Sequence, residues 1–118
     1  MNATELLHFV TLMRKLSGGK PIGLKLCLGI PLEFEELCEA MTTLQIYPDF
    51  LTIDGSEGGT GAASFEFTNF VGLPLLDSLP FVVSTLKKHK LKEHIKVICS
   101  GRVTNGFDIL RSLALGAD

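Results

Sequence analysis

The sequence predicts an α/β fold, in which helices join the strands of a parallel β-sheet. Three short apolar runs, each bounded by glycine, proline or polar residues, have the length of buried strands. A helical repeat of apolar residues precedes the first run, separates each run from the next and follows the last. The resulting order, α-β-α-β-α-β-α, is typical of right-handed βαβ units, whose strands run parallel.

The first helix and the first strand have clear boundaries. Apolar residues recur three and four positions apart over residues 4–16, and Ser17-Gly18-Gly19-Lys20-Pro21 ends that helix. The first strand is predicted within residues 21–29, where Lys25 is the only charged residue. A run with so few charged residues is typical of a strand in a parallel sheet that is buried on both faces.

The remaining elements follow in the same alternation. The second helix is predicted over residues 32–45, with glutamates at its amino end, where negative charge suits the helix dipole. Residues 49–53 form the second strand. The third helix lies within residues 73–90, and Pro80 near its first turns could delay or kink it. Residues 95–100 form the third strand, and residues 107–115 the last helix.

Composition limits the classes of function. The chain has 11 basic and 13 acidic residues and no basic stripe, so it lacks the charge pattern of a nucleic-acid-binding protein. No apolar run approaches the ~20 residues that span a bilayer. Cys27, Cys38 and Cys99 are scattered without metal-ligand spacing, which indicates buried, reduced thiols. We expect a cytoplasmic protein with no nucleic-acid, membrane or metal partner.

The loop after the second strand carries the first functional signal, because ligands of parallel α/β folds bind where strands end. Its residues Asp54-Gly55-Ser56-Glu57-Gly58-Gly59-Thr60-Gly61 include four glycines in eight positions. Glycine lets backbone approach a ligand and turn its amides toward an anion. A plain chain reversal is the alternative. The spacing is not the GxGxxG dinucleotide fingerprint, because an irregular stretch follows instead of a helix.

Two further strand positions carry chemistry. Ser100-Gly101-Arg102 leaves the third strand with a hydroxyl, an unhindered amide and a guanidinium, which are the parts of a phosphate site. The alternative is that Ser100 only ends the strand and Arg102 is solvated. Lys25 is costly to bury unless it is paired or functional. Inside a barrel it would point at the ligand mouth; turned toward a helix layer, it would snorkel to solvent.

Four segments together resemble the FMN-binding domain of the glutamate synthase family, and more narrowly its single-chain glutamate-synthase-like branch. They are LSGGKPIGLKLCLG at 16–29, YPDFLTIDGSEGGTGAA at 47–63, GLPLLDSLPFV at 72–82 and SGRVTNGFDILRSLALGAD at 100–118. That domain is a TIM (β/α)8 barrel of about 250 residues. The resemblance implies that residues 1–118 are a single partial domain, a fragment with about three barrel strands, which we expect to be inactive alone.

The resemblance also implies a cofactor and a reaction. In the family, reduced FMN at the barrel mouth delivers hydride to 2-iminoglutarate, formed from 2-oxoglutarate and ammonia, to give L-glutamate. Lys25 and Asp54 are the implied catalytic residues. Arg102 departs from the pattern, since lysine is common there, and Ser64 stands where proline is usual. The implied cofactor-binding residues are Lys25, Gly58, Gly59, Thr60, Gly61, Ser100, Gly101 and Arg102.

Two other functions remain open. FMN-dependent isopentenyl diphosphate isomerases share the lysine strand, the GGT loop and the Ser-Gly strand exit, although the full string IDGSEGGTGAA favours the synthases. Alternatively, the chain is a non-catalytic module that self-associates through open sheet edges. We expect either a homo-oligomer or association with the missing barrel segments.

Overall fold

The computed structural model describes residues 2–59, 64, 66 and 70–118. Its strands form one parallel sheet in the order β1-β2-β3, which confirms the predicted α/β class. Membership of a closed barrel stays a prediction. The described elements are α1 (Ala3–Leu16), β1 (Gly23–Leu26), α2 (Pro31–Leu44), β2 (Phe50–Asp54), a 3-10 helix (Ser56–Gly58), α3 (Leu75–Lys88), β3 (Lys96–Ser100) and α4 (Gly106–Ala114).

The ends of the helices follow local chemistry. Asn2 caps α1 by accepting a hydrogen bond from the Glu5 amide, while the Glu5 carboxylate accepts one from the Asn2 amide. Pro80 does not delay α3, which begins five residues earlier at Leu75. The missing proline N–H removes one hydrogen bond of the helix. Burial of one face of α3 compensates for that loss.

The helices cover one face of the sheet. Leu51, Ile53 and Val97 alternate along β2 and β3 and are fully buried on this side. Buried residues of two helices pack against them, so a single hydrophobic core lies between sheet and helices. These residues are Phe34, Leu37, Cys38 and Met41 on α2, and Leu75, Leu79, Val82, Val83 and Leu86 on α3.

The opposite face of the sheet is open. Lys25, Thr52 and Ile98 lie side by side there in neighbouring strands, and Ile98 is 46% exposed. The prediction that the first strand is buried on both faces is therefore wrong, because no described element covers this side. Alternation of side chains places Lys25 opposite to the core residues. The lysine thus projects from the open face and does not snorkel through the helix layer.

A similar aspartate contact occurs at two places in the sheet. The Asp49 amide donates to the Ile22 carbonyl over 2.8 Å, and the Asp49 carboxylate accepts from the Ile22 amide over 2.7 Å. The Asp118 amide donates to the Val97 carbonyl, and its carboxylate accepts from the Val97 amide, both over 2.8 Å. Asp118 therefore contacts β3 in the same way as Asp49 contacts the residue before β1. Asp49 itself directly precedes β2.

Acid should weaken the fold through Asp118. Partial burial raises the pKa of this carboxyl, but hydrogen bonds from Lys92, Val97 and Lys96 outweigh burial and lower it from 3.8 to about 2. Because the folded-state pKa is the lower one, the stabilisation is complete above the unfolded-state pKa and is lost as pH falls through the folded-state value. After allowance for solvent screening we expect Asp118→Asn to cost about 1 kcal/mol at neutral pH.

Urea unfolding of the wild type and Asp118→Asn at two pH values checks this expectation. The difference in free energy of unfolding should be clearly smaller at an acidic pH between the two pKa values than at neutral pH. An equal difference at both pH values would show that the ion pairs of Asp118 contribute nothing and that only its neutral hydrogen bonds matter.

Candidate functional site

Five of the predicted site residues meet at the carboxyl-terminal ends of the strands. Asp54 and Ser100 are the last residues of β2 and β3, and they are register partners. Lys25 pairs with Thr52 across β1 and β2, two residues before Asp54, so its side chain shares the open face with Asp54. Gly58 and Gly101 lie in the loops that directly follow the two strands.

The Asp54 carboxylate links the three strands. One oxygen, Oδ2, lies 2.9 Å from Lys25 Nζ, and the other, Oδ1, accepts a hydrogen bond of 2.7 Å from the Ser100 hydroxyl. The side chain of Asp54 is 14% exposed, whereas that of Lys25 is 62% exposed. The carboxylate is thus held inside the cluster, and the ammonium group faces solvent on the open side of the sheet.

The cluster keeps Asp54 ionised. Partial burial raises the pKa of its carboxyl, but hydrogen bonds from Lys25 and Ser100, together with the charge of Lys25, outweigh burial and lower that pKa. An ionised carboxylate accepts hydrogen bonds and donates none. At neutral pH Asp54 is therefore suited to orient Lys25 and is unsuited to act as a general acid.

Glycine is required where the two loops touch each other. A Cβ added to Gly58 would overlap the Asp54 carboxylate and lie 2.9 Å from the Cα of Gly101. Gly101 has φ +123°, a conformation that favours glycine, and a Cβ there would lie 3.1 Å from the Gly55 amide nitrogen. That amide donates to the Ser100 carbonyl over 2.9 Å. Gly58 and Gly101 therefore allow contact between the loops, whether or not a ligand is bound.

Glu57 is a site residue that sequence reasoning missed. Both of its carboxylate oxygens accept from the amide of Leu75, the first residue of α3, over 3.0 and 3.1 Å. The residue before the helix, Pro74, provides no side-chain cap. The first amides of a helix need hydrogen-bond acceptors. Because no residue next to the start of α3 can cap it, the sequence does indicate that an acceptor from elsewhere in the chain is needed.

The remaining predicted cofactor residues are less enclosed. Gly59 and Arg102 are exposed, and no hydrogen bond or ion pair of Arg102 is formed within the described part of the chain. Arg102 has φ +45°, which turns the chain sharply after β3. Thr60 and Gly61 lie outside the described residues.

The amino end of α4 is already capped by this chain. The Asn105 side chain accepts from the Asp108 amide over 3.0 Å, and the Asp108 carboxylate accepts from the amide and hydroxyl of Thr104 over 3.0 and 3.1 Å. Asp108 also forms an ion pair with Arg111. An anion near β3 would therefore meet Arg102 and the backbone after Ser100, since side chains cap this helix end.

The prediction of three buried thiols is correct only for Cys38. Cys27 is exposed and Cys99 is half-buried, because β1 and β3 are the outer strands of the described sheet and both residues lie near strand ends. Partial desolvation, together with the negative charges of Asp54 and Glu57, raises the pKa of the Cys27 thiol. The thiol next to the site is thus protonated at neutral pH and is a poor nucleophile.

A cavity of about 500 Å³ lies between the amino ends of α1 and α2 and the exit of β1, and the residues of the strand-end cluster do not line it. Its described lining includes the carboxylates of Glu33 and Glu36 and no basic side chain. An anionic cofactor would be repelled there, so the cavity does not compete with the cluster as a phosphate site.

Among residues 2–59, 64, 66 and 70–118, no group of three or more His, Cys, Asp or Glu side chains is placed to hold a metal ion. None of the helices in the described part of the chain combines the length and the hydropathy of a transmembrane span.

Several known proteins are similar in sequence to this chain. A family model described as a conserved region in glutamate synthase matches residues 1–118. The chain is 44% identical over 117 residues to the glutamate synthase large subunit-like protein YerD of Bacillus subtilis, an alignment that covers 99% of this chain and 22% of the relative. The chain therefore spans about a fifth of the length of that relative.

Shorter alignments match an archaeal and a yeast protein. Over 70 residues the chain is 39% identical to the archaeal glutamate synthase (NADPH) of Methanocaldococcus jannaschii, covering 59% of this chain and 14% of the relative. It is 34% identical, again over 70 residues, to the glutamate synthase (NADH) of Saccharomyces cerevisiae, covering 59% of this chain and 3% of that protein.

Proposed function

Because the chain belongs to the glutamate synthase family, we propose that it carries flavin-contacting strand ends of an FMN-dependent glutamate-synthase-like oxidoreductase. The whole enzyme reduces 2-iminoglutarate, formed from 2-oxoglutarate and ammonia, to L-glutamate, and these 118 residues alone are inactive. The observation that carries the proposal is the Lys25–Asp54 pair of 2.9 Å, which presents an ammonium group on the open sheet face at the strand ends.

The strand-end residues suit FMN in charge and in shape. Lys25 provides a positive charge that would stabilise a reduced flavin or a substrate carboxylate. Gly58 lets the loops after β2 and β3 meet beside Asp54, which keeps the Lys25–Asp54 pair at the strand ends where a flat ring would bind. The exposed guanidinium of Arg102 would meet the phosphate. FMN, when bound, would supply the hydride, and the protein supplies orientation and charge.

Each polar residue of the cluster then has a distinct task. Lys25 contacts the ligand, and the ionised Asp54 orients it without donating a proton. The Ser100 hydroxyl donates to Asp54, which fixes the carboxylate from the side of β3. The contribution of Ser100 and Gly101 to phosphate binding would therefore come from their backbone and from the adjacent Arg102.

Association with further barrel strands completes this proposal. The open face exposes Ile98, and α4 exposes Phe107 to 84% and Leu110 to 63%. Apolar surface of this kind favours burial against additional elements. Light scattering that shows a compact monomer would exclude a stable homo-oligomer.

We place the protein in the cytoplasm, where the free thiols of the chain stay reduced.

Titration of the purified chain with FMN, followed by flavin fluorescence, tests the cofactor assignment. We expect saturable binding that Lys25→Ala and Arg102→Ala each weaken about tenfold, because each change removes a cation worth ~1.4 kcal/mol. Lys20→Ala is the matched control, since this exposed lysine precedes β1 at the opposite end of the sheet. A folded chain without saturable binding would contradict the claim that these strand ends hold FMN by themselves.

A further inference from the structure

We propose that Glu57 is a positioning residue, which holds the loop of residues 55–59 against the amino end of α3 and thereby sets the place of the Asp54 carboxylate. The loop is the one assigned to the flavin, so the consequence for flavin binding rests on the proposed function. The geometric role of Glu57 can be measured without flavin.

The first step is the tie between Glu57 and α3. The Leu75 amide has no local capping side chain, and the Glu57 carboxylate supplies the missing acceptor across 18 residues of sequence. Negative charge at a helix amino end is also favoured by the helix dipole. A second tie runs parallel to the first, because the Ser56 amide donates to the Leu73 carbonyl over 3.0 Å.

The side chain of Glu57 reaches α3 by folding back across Gly55. A Cβ added to Gly55 would overlap the Glu57 carboxyl group and lie 2.6 Å from the Leu75 amide nitrogen. Position 55 therefore has to be glycine for the Glu57–Leu75 contact to form. The first glycine of the loop is explained by this contact, and no ligand is needed to account for it.

The second step leads from Glu57 to Asp54. The Gly58 amide donates to the Gly55 carbonyl over 2.8 Å, so Glu57 lies inside a short hydrogen-bonded turn. Gly58, at the end of that turn, packs against the Asp54 carboxylate and the Gly101 backbone. Release of Glu57 from α3 would therefore shift Gly58 and remove the packing contact that holds the Asp54 carboxylate toward Lys25.

Charge and geometry predict opposite changes at Asp54 when Glu57 is replaced. Removal of a neighbouring negative charge would by itself lower the pKa of the Asp54 carboxyl. Loss of the fixed geometry would loosen the contacts from Lys25 and Ser100, which lower that pKa in the native protein, and would raise it. The direction of the change thus separates the two effects.

Titration of the Asp54 carboxyl by NMR in the wild type and in Glu57 variants is the test. We expect the pKa of Asp54 to rise in Glu57→Ala. It should also rise in Glu57→Asp, which keeps the charge but is one methylene too short, and this milder variant serves if the alanine variant does not fold. Glu57→Gln retains an oxygen acceptor for Leu75 and should cause no rise. Glu93→Ala, at an exposed site, is the control.

The outcomes are decisive without FMN. An unchanged or lowered pKa of Asp54 in both Glu57→Ala and Glu57→Asp would overturn the proposal. Faster hydrogen exchange of the Leu75 amide in the same variants would then show that Glu57 is only a helix cap. A chain that fails to bind FMN but shows the predicted rise would refute the cofactor assignment alone. Where FMN binds, its affinity should fall in Glu57→Ala and recover in Glu57→Gln.

Discussion

Replacement of Gly58 by alanine should abolish saturable FMN binding and lower the free energy of unfolding by about 1–3 kcal/mol. The added Cβ would overlap the Asp54 carboxylate and lie 2.9 Å from the Cα of Gly101. The Gly101 Cα is a backbone atom, so it cannot move away from the added Cβ as the end of a flexible side chain could. Either Asp54 must leave Lys25 and Ser100, or the loops after β2 and β3 must separate, and both changes dismantle the site.

Flavin fluorescence and urea unfolding of Gly58→Ala measure the two effects separately. Gly29→Ala is the matched control, because it lies in the loop after β1 and a Cβ there would meet no atom within 4 Å. Its affinity and stability should stay close to those of the wild type, within about 0.5 kcal/mol. Wild-type FMN affinity in Gly58→Ala would show that close contact between the loops is not needed for the site.

Replacement of Leu79 by alanine should lower the free energy of unfolding by about 2–5 kcal/mol. Leu79 is fully buried on the face of α3 that packs on the sheet, and its truncation leaves a cavity in the core formed by the described residues. The cost is large relative to the total stability of a small domain, which is about 5–15 kcal/mol. Urea unfolding followed by circular dichroism gives the value.

Leu76→Ala on the same helix provides the comparison. Leu76 is 45% exposed, so its truncation removes less buried surface and should cost less than about 1 kcal/mol. Both variants make the same chemical change within one turn of α3, which leaves helix propensity equal. Equal losses for the two leucines would mean that α3 does not present the face containing Leu79 to the sheet.

The face of α3 shows how far the sequence could predict the core. Its leucine and valine spacing indicates an amphipathic helix, and that helix is present. The same spacing includes both Leu75 and Leu76, although only Leu75 is buried. Two adjacent leucines lie on either side of the boundary of a helical stripe, so periodicity alone cannot decide which one faces the sheet.

The candidate site shows a similar division. The parallel α/β order, the three strand ends and the family to which they belong can be read from the sequence alone, because they depend on patterns within short segments. Only the folded chain shows that Lys25 lies on the open face, that Ser100 binds Asp54 across 46 residues, and that Glu57 caps α3 across 18. Such contacts depend on strand register and helix packing, which bring distant segments together, and local spacing does not encode them.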